Sequence, residues 1–559
     1  LLALSATSPL LQAWISRAGF RAPYRLFAVS NFASLAALVA YPFVVEPNLD
    51  TPSQSVWWSI LYILFVVLCT TITLWTGRAT LALTPESQTA DRVPKLRQVQ
   101  WFALAACGSM LLLSITNHID ENVAAVPLMW VLPLAVYLMT FVLGFGSFNI
   151  YRRSLWMRLL AFALGILAYA LYHINAVEAI QISLPIFLAG LFICCLFCHG
   201  ELSRLRPATP QLTEFYVMIA AGGAAGAIFV GLIAPKIFSG IYELPLSLLF
   251  TASLALALTW NDGVWALRAL WAGVAGCMLA VMIANIQAYR ANSLSLRRSF
   301  YGSLRVVQTP HAGPDQERFL FHGTIEHGAE YLLPPRRFRP TTYYGPDSGI
   351  GILLRECFNK PKRVGVIGLG TGTLAAYGLP GDEFRFFEIN PQIAEVAQSL
   401  FFYLRQTPAR TRIIIGDGRL CLERDVSGPF DVLALDAFSG DAIPVHLLTR
   451  EALTLYRRHL KTDGVIAFHI SNVFLDLAPV VKLLAKDAGL QTVLVHNHRD
   501  DEESILPADW ILATNNPEVL KNAAIQIHSQ AIAAHLGLRI WTDNYNNLFQ
   551  IFKQPELRR

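Results

Sequence analysis

Nine apolar stretches recur between Leu26 and Ile286, and their lengths leave this part of the chain one economical fold. They are Leu26–Val45, Trp57–Trp75, Trp101–Ile115, Val123–Leu143, Trp156–Leu171, Ile180–Phe197, Phe215–Ile233, Leu244–Trp260 and Val264–Ile286. Most approach the ~20 residues that a bilayer-spanning helix needs. In lipid the backbone groups must pair within each segment, so a polytopic helical bundle is expected. Composition agrees, because 54% of the 559 residues are hydrophobic and 15% are charged, against about a quarter charged in a soluble protein. The net charge of +5 comes without a dense basic stripe, which gives no case for a nucleic-acid partner.

The loops give an orientation. Arg17, Arg21 and Arg25 mark one side, followed by Arg78, Arg92, Lys95 and Arg97, then Arg152, Arg153 and Arg158, then Arg204 and Arg206. The alternate loops carry Glu46 and Asp50, then Asp120 and Glu121, then Glu178. Positive loops stay in the cytoplasm. Continuing the alternation puts the end of the last helix outside, yet Arg290, Arg297, Arg298 and Arg305 follow it. Either one of the final stretches does not span or the C-terminal domain lies outside; a cytoplasmic domain is favoured. Phe215–Ile233 is the suspect stretch, since Ala221-Gly-Gly-Ala-Ala-Gly226 allows close packing or a broken helix. The chain begins Leu1-Leu-Ala-Leu without methionine, as if partway along a helix, and earlier spans are expected before it.

Six of the eight cysteines fall in apolar runs and read as small buried hydrophobes, not as a disulfide framework. The cluster Cys194-Cys-Leu-Phe-Cys-His199 has no second ligand set, so no metal is expected. Asn117, His118, Asp120, His173, His199 and Glu201 lie near helix ends. They are functional candidates by default, with a position at the water interface as the simpler reading.

The texture changes near Ser293. Leu304–Gln308, Arg318–His322 and Thr324–His327 are short β-leaning pieces, expected to form a small antiparallel sheet. Strands and helices then alternate: Arg363–Gly368, a helix after Thr371, Phe384–Glu388, a helix from Pro391, Arg412–Ile415 and Phe430–Asp436. A helix over Leu447–Leu460, a strand at Gly464–Ile470, a helix near Leu477–Ala488 and a strand at Thr492–His496 complete the series. Such alternation implies a doubly wound parallel sheet. The expected organisation is a membrane domain over residues 1–290, a β-hairpin region over 291–345 and a Rossmann-like domain over 346–559.

Motifs sit at the carboxyl ends of these strands, where ligands of such sheets bind. Val364-Gly-Val-Ile-Gly-Leu-Gly-Thr-Gly-Thr373 is a glycine turn, with Gly368, Gly370 and Gly372 letting the backbone approach a ligand. Glu388 lies about 20 residues past the first glycine, where an acid receives ribose hydroxyls. Asp417, in Gly416-Asp-Gly418, follows the third strand and could accept from an adenine amino group. Asp436 and Asp441 belong to Leu435-Asp-Ala-Phe-Ser-Gly-Asp441. His327 and His469 stand near strand ends and His446 lies in the loop after the fourth strand; a lone histidine is more often structural than catalytic. Asp543 and Tyr545 could close the pocket.

Together these residues resemble the spermidine synthases (aminopropyltransferases), and more closely bacterial relatives with a transmembrane domain ahead of the synthase-like domain. Similar stretches run from Asn117–Thr140 and His199–Phe238 through Pro340-Thr-Thr-Tyr-Tyr-Gly345 to Trp541-Thr-Asp-Asn-Tyr545. The resemblance implies an α/β Rossmann-like domain, similar to S-adenosylmethionine-dependent methyltransferases, with a small β region ahead of it. Its donor would be decarboxylated S-adenosylmethionine or S-adenosylmethionine itself, with no metal. Glu388 would hold the ribose and Asp417 the adenine, with Gly368, Gly370, Thr371, Gly372, Gly418 and Glu326 also on the cofactor. Asp436 would be the general base, with Asp441 and Tyr344 beside it.

Three departures from the family pattern matter. Thr371 replaces the acid of the glycine loop, Glu326 stands where glutamine is usual, and the usual Tyr-His-Glu reads Tyr343-Tyr344-Gly345. Aminopropyl transfer to an amine or polyamine is the leading expectation. Methyl transfer, or a transporter whose soluble domain senses an adenosyl metabolite, are the alternatives. The partners implied are the lipid bilayer of a bacterial inner membrane and an amine acceptor, with room for a homo-oligomer. The soluble domain is expected in the cytoplasm, where adenosyl cofactors are made.

Overall fold

The computed structural model describes residues 7, 11, 24–80 (side chains to 75), 93–122, 129–146, 148, 150–173, 180–207, 211–310, 313, 315–437, 444–533 and 535–553. The chain divides into two compact units, the second beginning at Asn292.

The first unit is helical: α1 (Tyr24–Ala40), α2 (Thr51–Thr80), α3 (Lys95–Asn122), α4 (Val131–Phe145), α5 (Arg153–His173), α6 (Ile180–Arg204), α7 (Leu212–Ile228), α8 (Glu243–Thr259) and α9 (Trp265–Arg290). Two of these continue past a π-turn, α1 to Asn48 and α7 to Ile237. Each π-turn adjoins a proline, Pro42 or Pro235, whose missing N–H breaks the regular ladder. Among the described residues, seven helical runs are long and apolar enough to cross a membrane. The other two, α4 and α8, have 15 and 17 residues. The suspected Phe215–Ile233 thus lies in one of the long runs, and the short stretches are elsewhere.

The glycines of α7 serve close packing. A Cβ on Gly222 would lie 2.2 Å from the Phe102 carbonyl oxygen, and one on Gly226 would lie 2.3 Å from that of Ala106. Both contacts are with the backbone of α3, so the two helices meet main chain to side. His199 and Glu201, in the last turns of α6, face inward, each with 0% exposure. Thr140 gives its own proton to the Tyr137 carbonyl, so its Oγ1 accepts from His199 Nδ1 at 2.9 Å. Glu201 accepts from Tyr151 (2.8 Å) and Arg204 (2.7 and 3.0 Å) and pairs with Arg153 at 3.2 Å.

The second unit opens with an antiparallel sheet in the order β1-β2-β3-β4. Its strands are β1 (Ser293–Ser299), β2 (Gly302–Gln308), β3 (Glu317–His322) and β4 (Ile325–Tyr331). Helix α10 (Gly349–Glu356), capped by Ser348, leads into the main sheet. That sheet contains β5 (Arg363–Ile367), β6 (Glu383–Glu388), β7 (Arg410–Ile415), β8 (Phe430–Leu435), β9 (Leu460–His469), β10 (Gln491–Asn497), β11 (Ala508–Thr514) and β12 (Ser529–Gln530). Its order is β12-β10-β11-β9-β8-β5-β6-β7. From β9 to β7 the pairing is parallel, while β10, β11 and β12 add antiparallel. The strand order reverses between β5 and β8, which opens a crevice at their carboxyl ends.

Alternation of side chains fills both faces. Ile367, Phe387, Leu433, Leu435 and Phe468 pack on one side, and Val364, Val366, Phe386, Val432 and Ala434 on the other. Covering helices include α11 (Pro391–Leu400), α12 (Gly418–Arg424), α13 (Arg450–Arg458) and α14 (Ala478–Asp487). The helix expected after Thr371 is only a 3₁₀ turn, Thr373–Tyr377. The sequence stops it at once, because Gly378, Pro380 and Gly381 follow and Asp382 draws in the Leu379 N–H.

The backbone contact of Gly226 gives a direct test. Gly226→Ala is expected to cost about 1–3 kcal/mol through overpacking, read as a lower melting midpoint of the full chain in detergent. Gly165→Ala in α5, where a Cβ meets nothing within 4 Å, should hold or raise it.

Candidate active site

A cleft of about 280 Å³ opens at the carboxyl ends of β5, β6 and β8. The glycine loop after β5 forms one wall. Gly368 has φ +101°, and a Cβ there would lie 2.3 Å from the Asp436 carbonyl oxygen. Gly370 has φ +55°, and its Cβ would meet the His327 carbonyl oxygen at 2.8 Å. Behind the loop, buried Lys362 Nζ donates to Asp382 at 2.7 Å. Asp382 also takes the backbone N–H groups of Lys362 and Leu379, so one carboxylate ties the start of β5 to the chain that leaves the loop.

Glu388 ends β6 and lines the cleft, 5% exposed. It accepts from the N–H of Leu369 (3.1 Å) and of Asn390 (2.8 Å). Burial pushes its pKa up to about 7, against the opposing pull of those backbone donors. Asp417 caps α12, taking the Leu420 N–H at 2.9 Å, and its second oxygen lies 2.9 Å from His446 Nε2. Arg419 donates to the His446 carbonyl at 2.9 Å and forks onto Asp543 at 2.8 and 2.7 Å. Asp543 therefore stands beside Asp417 and His446, and its pKa is held down first by the hydrogen bond from Arg419.

Asp436 follows β8 with a side chain only 5% exposed. Tyr344 donates its hydroxyl to one oxygen, and His469 Nδ1 lies 2.7 Å from the other. Ser471 Oγ accepts the Asp509 N–H at 2.9 Å and lies 2.9 Å from His469 Nε2, steadying the ring from its other side. The short contact with a carboxylate oxygen puts a ring proton on Nδ1, aimed at Asp436. The imidazole is held between the Tyr343 ring (centroids 4.6 Å) and the Trp510 ring (4.7 Å). A buried carboxylate fixed by two donors and a stacked partner can orient a nucleophile and take a proton.

Some expected site residues are not brought to the cleft. Thr371 is fully buried, bonds Thr373 Oγ1 at 2.7 Å and packs beneath Gly328. Gly372 starts the 3₁₀ turn, with Leu404 filling the space at its Cβ position. Glu326 sits on β4 opposite Phe321, outside the cleft lining. Burial, with Glu317 adding, raises its pKa to about 7. Asp441 lies outside the described residues. Gly368, Gly370, Glu388, Asp417, Gly418, Asp436 and Tyr344 do converge on the lining.

His469 touches Asp436 directly, which a lone-histidine reading undervalued. The signal was register: Leu435 pairs with Phe468, so the residue after each shares one edge. Tyr301 and His322 also line the cleft without any motif to announce them, and Tyr343 joins them from the Tyr343-Tyr344-Gly345 stretch.

No family model matches the chain. It is 35% identical over 120 residues to a polyamine aminopropyltransferase of Vibrio vulnificus, covering 21% of this chain and 38% of that protein. Over that stretch the chain is similar to an aminopropyltransferase. It is also 34% identical over 112 residues to an N-terminal histidine N-methyltransferase of Emericella nidulans, covering 19% of each. The matches thus span well under two thirds of either curated relative. Among solved structures, spermidine synthase from Thermotoga maritima is similar at 15% identity and a TM-score of 0.30, over 47% of this chain and 85% of that one.

Asp382→Ala would leave Lys362 charged and buried, and is expected to cost about 3–5 kcal/mol. Denaturant unfolding of the full chain in detergent measures it; a loss below about 1 kcal/mol would mean that the pair behaves like a solvated one.

Proposed function

We propose that this chain is a membrane-bound S-adenosyl-dependent transferase that moves an aminopropyl group from decarboxylated S-adenosylmethionine to an amine. The carrying observation is Asp436, gripped by Tyr344 and His469 on the sheet edge where Glu388 stands ready for a ribose. The match to the Vibrio aminopropyltransferase supports it. The membrane location rests on the long apolar helices, and the soluble unit is assigned to the cytoplasm because adenosyl cofactors are made there.

The chemistry asks for little else. The amine nitrogen attacks the carbon joined to the sulfonium, the carbon–sulfur bond breaks, and its electron pair stays on sulfur as a neutral thioether. The sulfonium leaves without acid help. An alkylamine has a pKa near ~10, so it arrives protonated and must lose one proton before attack, and the product leaves as the corresponding ammonium. Asp436 is placed to take a proton. In this reading Tyr344 and His469 are positioning residues, keeping the carboxylate aimed. Methyl transfer from S-adenosylmethionine is the second reading, favoured by Thr371 in place of an acid and by the methyltransferase match.

Calorimetric titration with the two donors separates these readings. A preference of about tenfold or more for the decarboxylated form supports aminopropyl transfer, and a reversed preference supports methyl transfer. Asp436→Asn should cut turnover by about 10²–10⁴ with donor affinity little changed. Unchanged turnover would sink the proposed base.

Glu388 makes donor binding pH-dependent. Free Glu388 has a pKa of about 7 through burial, and ribose hydroxyls donating to it favour the ionised form. Binding therefore lowers its pKa and releases a proton below pH 7. Affinity for 5′-methylthioadenosine should be flat above pH 7 and fall by up to about tenfold per unit below it. Calorimetry at pH 6 in two buffers of different ionisation enthalpy counts the proton, and Glu388→Gln should abolish its release.

A further inference from the structure

One polar group in the cleft has no task in the chemistry above. The β3–β4 hairpin brings His322 and His327 to the lining, and the β1–β2 turn brings Tyr301. The backbone of His327 is fixed against the glycine loop through the close approach of its carbonyl to Gly370. Its Nε2 is shut off from solvent and has no hydrogen-bond partner among the described residues. A buried ring nitrogen left unpaired costs roughly 1–3 kcal/mol, a penalty that a ligand at this position would remove. Burial, with His322 and His469 adding to it, pushes the His327 pKa down to about 3. The ring is therefore neutral near pH 7, with one nitrogen free to accept.

Strand order fixes which part of a nucleoside reaches it. Asp417 follows β7, Glu388 ends β6, the glycine loop follows β5, and Asp436 follows β8. A nucleoside with its ribose on Glu388 and its base toward β7 must direct its 5′ end toward β5 and β8. Whatever is attached to a 5′ sulfur then runs between Gly370 and Asp436. The Gly370 Cβ position is 2.8 Å from the His327 carbonyl and 3.7 Å from the Tyr344 hydroxyl, so that substituent passes beside His327. The Thr371 hydroxyl faces Thr373 and Gly328 instead, leaving the loop's own side chain turned away from this end.

We infer that His327 is a specificity-determining residue for the donor, its Nε2 accepting a hydrogen bond from the ammonium group on the sulfonium substituent. This rests on the adenosyl reading of the cleft. The recognised chemistry is an alkylammonium on a short carbon chain. S-adenosylmethionine and its decarboxylated form both carry it, and 5′-methylthioadenosine has the same nucleoside and sulfur without it. His327 thus selects intact donors over the spent thioether, which helps the product leave.

The test is calorimetric binding of all three compounds to the full chain in detergent, with wild type, His327→Leu and His327→Gln. His327→Leu is expected to weaken both donors about tenfold while methylthioadenosine stays within about twofold. His327→Gln, which can present an amide oxygen near the Nε2 position, should restore most of the donor affinity. Equal weakening of donors and methylthioadenosine would make His327 a scaffold residue, and unchanged donor affinity would leave it no role; either overturns the inference. Failure of wild type to bind any of the three would instead overturn the adenosyl reading itself.

Discussion

Parallel, in-register pairing of β8 with β5 on one side and β9 on the other is the constraint on which the cleft depends. Leu435 lies opposite both Ile367 and Phe468, so the next residues, Asp436, Gly368 and His469, emerge side by side. The strand order reverses at this place, and the chain leaves β5 and β8 in opposite directions. Gly368 is then required twice over, since any Cβ would strike the Asp436 carbonyl and its φ of +101° suits glycine. The glycine makes room for Asp436 as much as for a ligand.

That logic explains which features could be read from sequence. The strands β5, β6 and β8 and their terminal residues were legible because each motif is local: a β-rich run followed by a glycine turn or an acid. The Asp436–His469–Ser471 network was not, because its members come together only through pairing of β8 with β9 and through the Asp509 N–H on β11. Strand β11 pairs antiparallel with β9, outside the strand–helix alternation that guided the reading. Thr371 was placed by its position in the loop, which fixes the backbone but not the side chain. The buried space beneath Gly328, with Thr373 as partner, decided where its hydroxyl points. In the helical unit, apolar length located the helices. It could not show that Gly222 and Gly226 press on α3, nor that His199 and Glu201 face inward.

Glu201 shows how the helical unit carries charge in its interior. A carboxylate with 0% exposure would be several kcal/mol too costly if isolated. Here Arg153, Arg204 and Tyr151 surround it, and Arg153 reaches on to Asp262 at 2.7 Å. Gly200 allows this, because Tyr151 packs where its Cβ would stand, 2.2 Å away. The cluster joins the start of α5 to the end of α6 and to the segment after α8. Such a group adds less to net stability than to fixing one register of helix ends, since an alternative packing would strand a buried charge.

The same accounting bears on what Asp436 can do. Tyr344 and His469 each engage one oxygen of a nearly buried carboxylate, so its plane is fixed before any ligand arrives. For the transfer proposed above, in which a sulfonium cation would be the electrophile, a carboxylate already held in one orientation has little left to reorganise. In that proposal the carboxylate would stand beside two cations, donor and amine, and would offset their charge in a site with little water. It needs to accept a proton only as the amine commits to attack. Each oxygen keeps a lone pair beyond the one engaged by Tyr344 or His469. Through its Nδ1 proton His469 adds a donor to that carboxylate, while Ser471 holds the ring by its other nitrogen. Ser471 lies outside the cleft lining, so the serine fixes the carboxylate's orientation from a position that a ligand in the cleft does not meet.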